Sequence, residues 1–174
     1  MLYHLHEMQH MAMMPARMFA EMLSNSLKNP WNPMAHLGFA RSIGSAAEVF
    51  HQMTERYGRP AWGIEQVEID GKTVPVEIET LIRRTYCHLV HFRAGEKRKD
   101  PRLLIVAPLS GHFATLLRGT VEGLLPYHDV YITDWQDCRH IPTSTDRFNL
   151  NDYIDYVIDF LHFLGPNTHL LAVC

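Results

Sequence analysis

Three apolar runs in the second half of the chain set the strongest constraint on its fold: Leu103-Leu-Ile-Val106, Val130-Tyr-Ile-Thr133 and Leu170-Leu-Ala-Val173. Each is apolar at nearly every consecutive position, so the strand it forms must be covered on both faces, as parallel strands between helices are. The stretches FATLLRGTVEGLL and LNDYIDYVIDFLHFL separate them, and both carry apolar residues at helical period. Strand, helix, strand, helix, strand is an order whose crossovers are long enough to be right-handed and to keep the strands parallel. From residue 102 onward the expected class is therefore α/β, an open sheet with crossover helices.

Local signals fill in the remainder. Asn149 or Asn151 is placed to cap the second helix, where Ile154, Val157, Ile158, Leu161 and Leu164 fall on one side before Gly165-Pro166 stops it. Upstream the period is two: VEIDGKTVPVEIE alternates around Asp70-Gly71, a dipeptide that tolerates positive φ at both positions and so predicts a hairpin. CHLVHF is a further strand, and the charged run GEKRKDP after it reads as a solvated turn. The character of the chain changes near Arg59-Pro60, and residues 1–58 are rich in Met, Ala and His. There, Leu5, Met8, Ala12, Met18 and Met22 suggest one helix and Ile43, Ala46, Ala47, Phe50 and Met53 another, parted by NPWNP. The expected division is a helical amino-terminal segment, 1–62, followed by an α/β domain, 63–174, that stops at its third parallel strand.

Composition excludes several classes. A net charge of -3 with acids and bases interspersed gives no footprint for nucleic acid. No window approaches the roughly 18 apolar residues of a membrane span, and His4, His6, Glu7, Gln9 and His10 interrupt what a secretory signal would need to be apolar. The expectation is a cytoplasmic protein. Cys87, Cys138 and Cys174 are too widely spaced for a closed zinc site or a disulfide framework. His6 and His10 share a helical face, but His4 does not and no acidic partner completes a metal motif, so neither metal nor cofactor is expected.

Ligands in such sheets lie outside the carboxyl ends of the strands. Three places qualify: the turn Ser110-Gly111-His112, the pair Asp134-Trp135, and Cys174. A Gly-containing turn after the first strand can aim a backbone N-H at an oxyanion, worth roughly 3 kcal/mol, or can be a plain connection. His112 precedes the third strand, whereas triad histidines in this arrangement come last in chain order, which excludes it as general base. Asp134 reads as a loop cap or a substrate contact, and Trp135 as a lining for an apolar substrate channel. Cys174 is either a small buried residue or a nucleophile.

Several long blocks are less anonymous: MLYHLHEMQH, RYGRPAWGI, VAPLSGHFATLLRGTVEGLLPYHDVYITDW, LNDYIDYVIDFL and HLLAVC. Together they span most of the sequence, and the chain resembles the amino-terminal half of the intracellular polyhydroxyalkanoate (polyhydroxybutyrate) depolymerases, in the α/β-hydrolase superfamily. The resemblance implies hydrolysis of ester bonds in a stored polyester, with Cys174 as nucleophile. In that family the cysteine is followed by Gln-Pro, which this sequence does not include, and the acid and histidine partners come later still. It thus implies an incomplete catalytic apparatus, inactive by itself. A polyester synthase with the same architecture, or a granule-binding module without catalysis, are the alternatives; the Met stripe from Met8 to Met22 reads as core or as a surface adhering to polymer. The strand Thr168 to Cys174, without a covering helix, is expected to promote self-association.

Overall fold

The computed structural model describes residues 2–55, 57–95, 99–109, 113–142, 144 and 147–173. They form two compact units, Met1–Gly58 and Arg59–Cys174.

The first unit is helical: α1 (Leu2–Ala12), α2 (Met14–Lys28) and α3 (Gly38–Thr54), with a short 3-10 turn at Pro33–His36. Where the apolar spacing predicted one helix over its first part, the chain breaks at Met13, because Pro15 in the first turn of α2 has no N-H to continue α1. The predicted apolar stripes do not form the seam between α2 and α3. Ala20, Ser24, Ala40 and Gly44 are the buried positions, and a Cβ on Gly44 would lie 3.2 Å from Leu27 Cβ. Small residues let the two backbones approach closely, which turns the bulky side chains outward: Met18, Met22, Ile43 and Met53 are all exposed.

The second unit is mixed α/β. Its strands are β1 (Gln66–Ile69), β2 (Lys72–Arg83), β3 (Cys87–Ala94), β4 (Arg102–Val106), β5 (Asp129–Trp135) and β6 (His169–Ala172), in the sheet order β1-β2-β3-β5-β4-β6. β1 and β2 form the predicted hairpin, with Asp70 and Gly71 at φ 51° and 74°. β3 runs antiparallel to β2 and β5, whereas β4 pairs in parallel with both β5 and β6. Crossovers are made by a 3-10 turn (Ala114–Leu117) leading into α4 (Arg118–Leu124), and by α5 (Leu150–Leu164). Asn149 caps α5 in a full capping box with Asp152, and Gly165 at φ 84° ends it.

Helices cover both faces. On one face Trp62 meets Phe92 edge-on at 4.8 Å and Arg118 of α4 donates to the Gly63 carbonyl at 2.9 Å. On the other, Trp135 stacks on Tyr153 of α5 at 4.7 Å. The buried centre is Leu103 to Ala107 with Leu89, Phe92, Val130, Ile132, Val121 and Phe160. α5 is rotated from the stripe its aliphatic spacing predicted. Phe160 and Leu164 are buried with Tyr153, Tyr156, Val157 and Leu161 packed behind them, while Ile154 and Ile158 are exposed. Aromatic rings offer more area to the sheet than isoleucines, and the Trp135–Tyr156–Phe160 series claims the inner face.

The unit boundary falls after Gly58, and the RPAWGI segment packs with the second unit: Arg59 and Trp62 hold partners on the sheet, and the Gly63 carbonyl accepts from Arg118 of α4. Among the described residues no helix is long and apolar enough to cross a membrane.

Candidate functional site

The chain leaves β4 to form β5 on one side and returns to form β6 on the other, so the order reverses at β4. Connections leaving the carboxyl ends of parallel strands at such a reversal run to opposite faces and leave a crevice where ligands bind. β4 and β6 end level, with Val106 opposite Ala172 and the Val173 N-H donating to the Val106 carbonyl at 3.1 Å.

The segment leaving β4 is held rigidly at its root. Ala107 N-H donates to Thr133 Oγ1 at 2.9 Å, and the Trp135 indole N-H donates to the Ala107 carbonyl at 3.0 Å. Both backbone groups of Ala107 are thus satisfied by side chains of β5 in a fully buried position. The chain therefore leaves the sheet from a fixed point. The turn itself, Ser110-Gly111-His112, lies outside the described residues, as does Cys174.

A cavity of about 360 Å³ opens at this rim, lined by Leu109, Phe113, Trp135, Gln136, Asp137, Cys138 and Arg139. One wall is apolar and aromatic. The other carries the Asp137 carboxylate, which accepts from Arg139 Nε at 2.7 Å and, through its other oxygen, from the Arg139 N-H at 3.0 Å. Its Trp135 wall is fixed by the stack on Tyr153.

Asp134 lies elsewhere. Its side chain points to the opposite face of the sheet from Trp135, where it is almost wholly buried and accepts from Arg59 Nη2 at 2.5 Å. Gln136 Nε2 donates to its carbonyl at 2.9 Å, and its Oδ1 is buried with no partner among the described residues. This carboxylate anchors the Arg59–Ile64 segment on the sheet and does not line the rim cavity. No signal in the sequence distinguishes the two neighbours; only the alternation of side chains along β5 separates them.

The described thiols differ sharply. Cys87 is fully buried at the start of β3, and burial, reinforced by the Asp134 charge, pushes its thiol far up, so it stays protonated and inert. Cys138 is exposed and lines the rim cavity. Nothing in the polar loop of the sequence marks Cys138 as a site residue; its place comes from the short 3-10 turn Cys138–His140 packed beside the end of β5.

In the first unit, the His6 and His10 rings meet edge-on at 5.6 Å and Arg17 Nη2 lies 3.0 Å from His10 Nδ1. Among the described residues no group of three or more His, Cys, Asp or Glu could hold a metal ion.

No family model, curated protein or solved structure matches the chain.

Proposed function

We propose that this protein is an ester hydrolase of the α/β-hydrolase type acting on intracellular poly(3-hydroxyalkanoate), with Cys174 as nucleophile. One observation carries the reading beyond the sequence resemblance: β4 and β6 are parallel neighbours that end level at the point where strand order reverses. Chemistry of this kind needs the nucleophile and the oxyanion donor within a few ångströms of one carbonyl, and adjacent parallel strands are spaced by about 4.8 Å. Cys174 comes just after one of these strand ends, and the Ser110-Gly111-His112 turn comes just after the other.

In the proposed reaction the Cys174 sulfur attacks an ester carbonyl of the polymer. A C–S bond forms, the C–O bond breaks, and the released hydroxyl end of the chain takes up a proton; water then cleaves the thioester and frees the acid. A histidine held by a carboxylate would move those protons. No residue of this chain is assigned to either role. Trp135, Phe113 and Leu109 supply an apolar wall suited to a methylene-rich polyester, and no cofactor enters the reaction.

A second reading, a module that binds granules without catalysis, is favoured by the exposure of Met8, Met18, Phe19 and Met22 on the helical unit. Amorphous polyhydroxybutyrate granules distinguish the two when sedimentation and released hydroxy acid are followed together. Release that is abolished by Cys174→Ala and kept by Cys138→Ala supports hydrolysis by Cys174. Release surviving Cys174→Ala removes that sulfur from the mechanism. Sedimentation without release follows both from binding and from a nucleophile lacking its acid and histidine, and acylation of Cys174 by an activated 3-hydroxybutyrate ester, read by intact mass and absent in Cys174→Ala, separates the two.

A further inference from the structure

At the amino ends of β4 and β5, away from the rim, a cleft of about 950 Å³ has His91 and Tyr131 in its wall. The two rings stack at 4.4 Å, 8° from parallel, and His91 is buried, with only 8% of it reaching solvent. Both ring nitrogens face carboxylates on the neighbouring strands: Nδ1 lies 3.0 Å from Glu79 Oε1 on β2, and Nε2 lies 2.6 Å from Asp129 Oδ1 on β5. The Tyr131 hydroxyl donates to the other Asp129 oxygen at 2.7 Å, and Arg93 donates to Glu79 at 2.5 Å while also reaching Glu77.

We propose that His91 is a proton-operated clasp: as imidazolium it donates to Glu79 and Asp129 at once and ties β2 through β3 to β5, and when its proton leaves through the cleft the β2 edge is released. A neutral imidazole has one N-H, so one of the two carboxylates would then face a lone pair at hydrogen-bond distance. The register places the clasp on a single rung, Glu79 opposite His91 and His91 opposite Tyr131. Immediately beyond Glu79 the β2–β3 ladder shifts register between Thr80 and Ile82, so the clasp sits where the ladder is least regular.

Two cations oppose a positive ring, Arg93 on the same strand and Arg102 on β4. Both are occupied: Arg93 is engaged by Glu77 and Glu79, and Arg102 donates to the Leu164 carbonyl. Lys99 and Asp100 also line the cleft, as does His128, which directly precedes Asp129. Burial by itself disfavours the charged ring, but hydrogen bonds to Asp129 and Glu79 more than offset it, and the balance raises the His91 pKa.

The test is carbon and nitrogen NMR of the His91 ring in the full chain, with amide hydrogen exchange along β2 and β3 across the same pH range. The clasp requires both ring nitrogens protonated at pH 6.5 and a titration above the ordinary histidine value of about 6.5. As pH rises through it, protection at Glu77 and Glu79, whose N-H groups face β3, corrected for intrinsic exchange, should fall tenfold for each unit separating that titration from the ordinary one. Glu79→Gln and Asp129→Asn should each lower the His91 titration, and His91→Gln should flatten the protection profile. A ring with a single protonated nitrogen at pH 6.5 overturns the clasp, and a raised titration with unchanged protection overturns the release. These readouts do not involve ester chemistry, so their outcome is independent of the proposed function.

Discussion

At the scale of single residues, burial decides which polar groups can do chemistry and which only hold the fold. Asp134 shows the second case: it is withdrawn from water and compensated chiefly by Arg59. Removing the cation leaves a buried charge with one weaker donor, so Arg59→Ala is expected to lower unfolding stability by about 3 kcal/mol in urea titration. Replacing both partners with apolar residues, as in Arg59→Met with Asp134→Leu, should recover most of the loss. The two thiols give a chemical test of the same principle. Iodoacetamide should modify Cys138 in the folded protein and reach Cys87 only after denaturation, as read by peptide mass mapping. Gly95 is constrained by conformation and by space, since its φ is 68° and a Cβ there would lie 2.5 Å from Val74 Cγ1. Gly95→Ala should therefore cost more than the roughly 1 kcal/mol of an ordinary left-handed position, visible as a lower midpoint in thermal unfolding.

Whole elements depend on a few anchors. Trp135 joins β5, the exit of β4 and the inner face of α5, through its donor to the Ala107 carbonyl and its stacks on Tyr153 and Tyr156. Trp135→Ala is expected to cost roughly 3 to 5 kcal/mol, whereas Trp135→Phe, which keeps a ring and loses the donor, should cost nearer 1 to 2. Among the described residues β6 is the outer strand on its side of the sheet, with Leu170 exposed on it. Unpaired strand edges with apolar side chains promote edge-to-edge pairing. Sedimentation velocity should show concentration-dependent association that Leu170→Lys reduces.

For the molecule as a whole, pH dependence arises from the rung through β2, β3 and β5. Glu79 is held below the usual carboxylate range first by the His91 hydrogen bond, and Asp129 is held there despite its burial by His91 and Tyr131. Their contribution is present above the unfolded carboxylate values of about 4 and is lost as pH falls through the lower folded values. His91 is shifted the other way, so its contribution is full below about 6.5 and is lost as pH rises through its raised folded value. Stability should therefore be greatest between about pH 4.5 and 6.5, and urea midpoints measured from pH 3 to 9 should trace that maximum. In Asp129→Asn both flanks should flatten.

Much of this architecture is legible in the linear chain because its signals are local. Asp70-Gly71 imposes a hairpin by backbone sterics, Asn149 caps α5 from two residues away, and the LLIV run demands cover on both faces wherever it lies. Proline at position 15 also had its effect locally, though the apolar period on either side concealed it. What only the tertiary structure decided is set by partners distant in sequence: which neighbour β4 takes on each side, whether aromatic or aliphatic residues of α5 turn inward, that small residues form the α2–α3 seam, and that Asp134 serves Arg59 while the adjacent Trp135 reaches the cavity. Local backbone preferences are properties of a few consecutive residues, whereas a buried charge or a ring finds its place only when the fold brings its partner within contact distance.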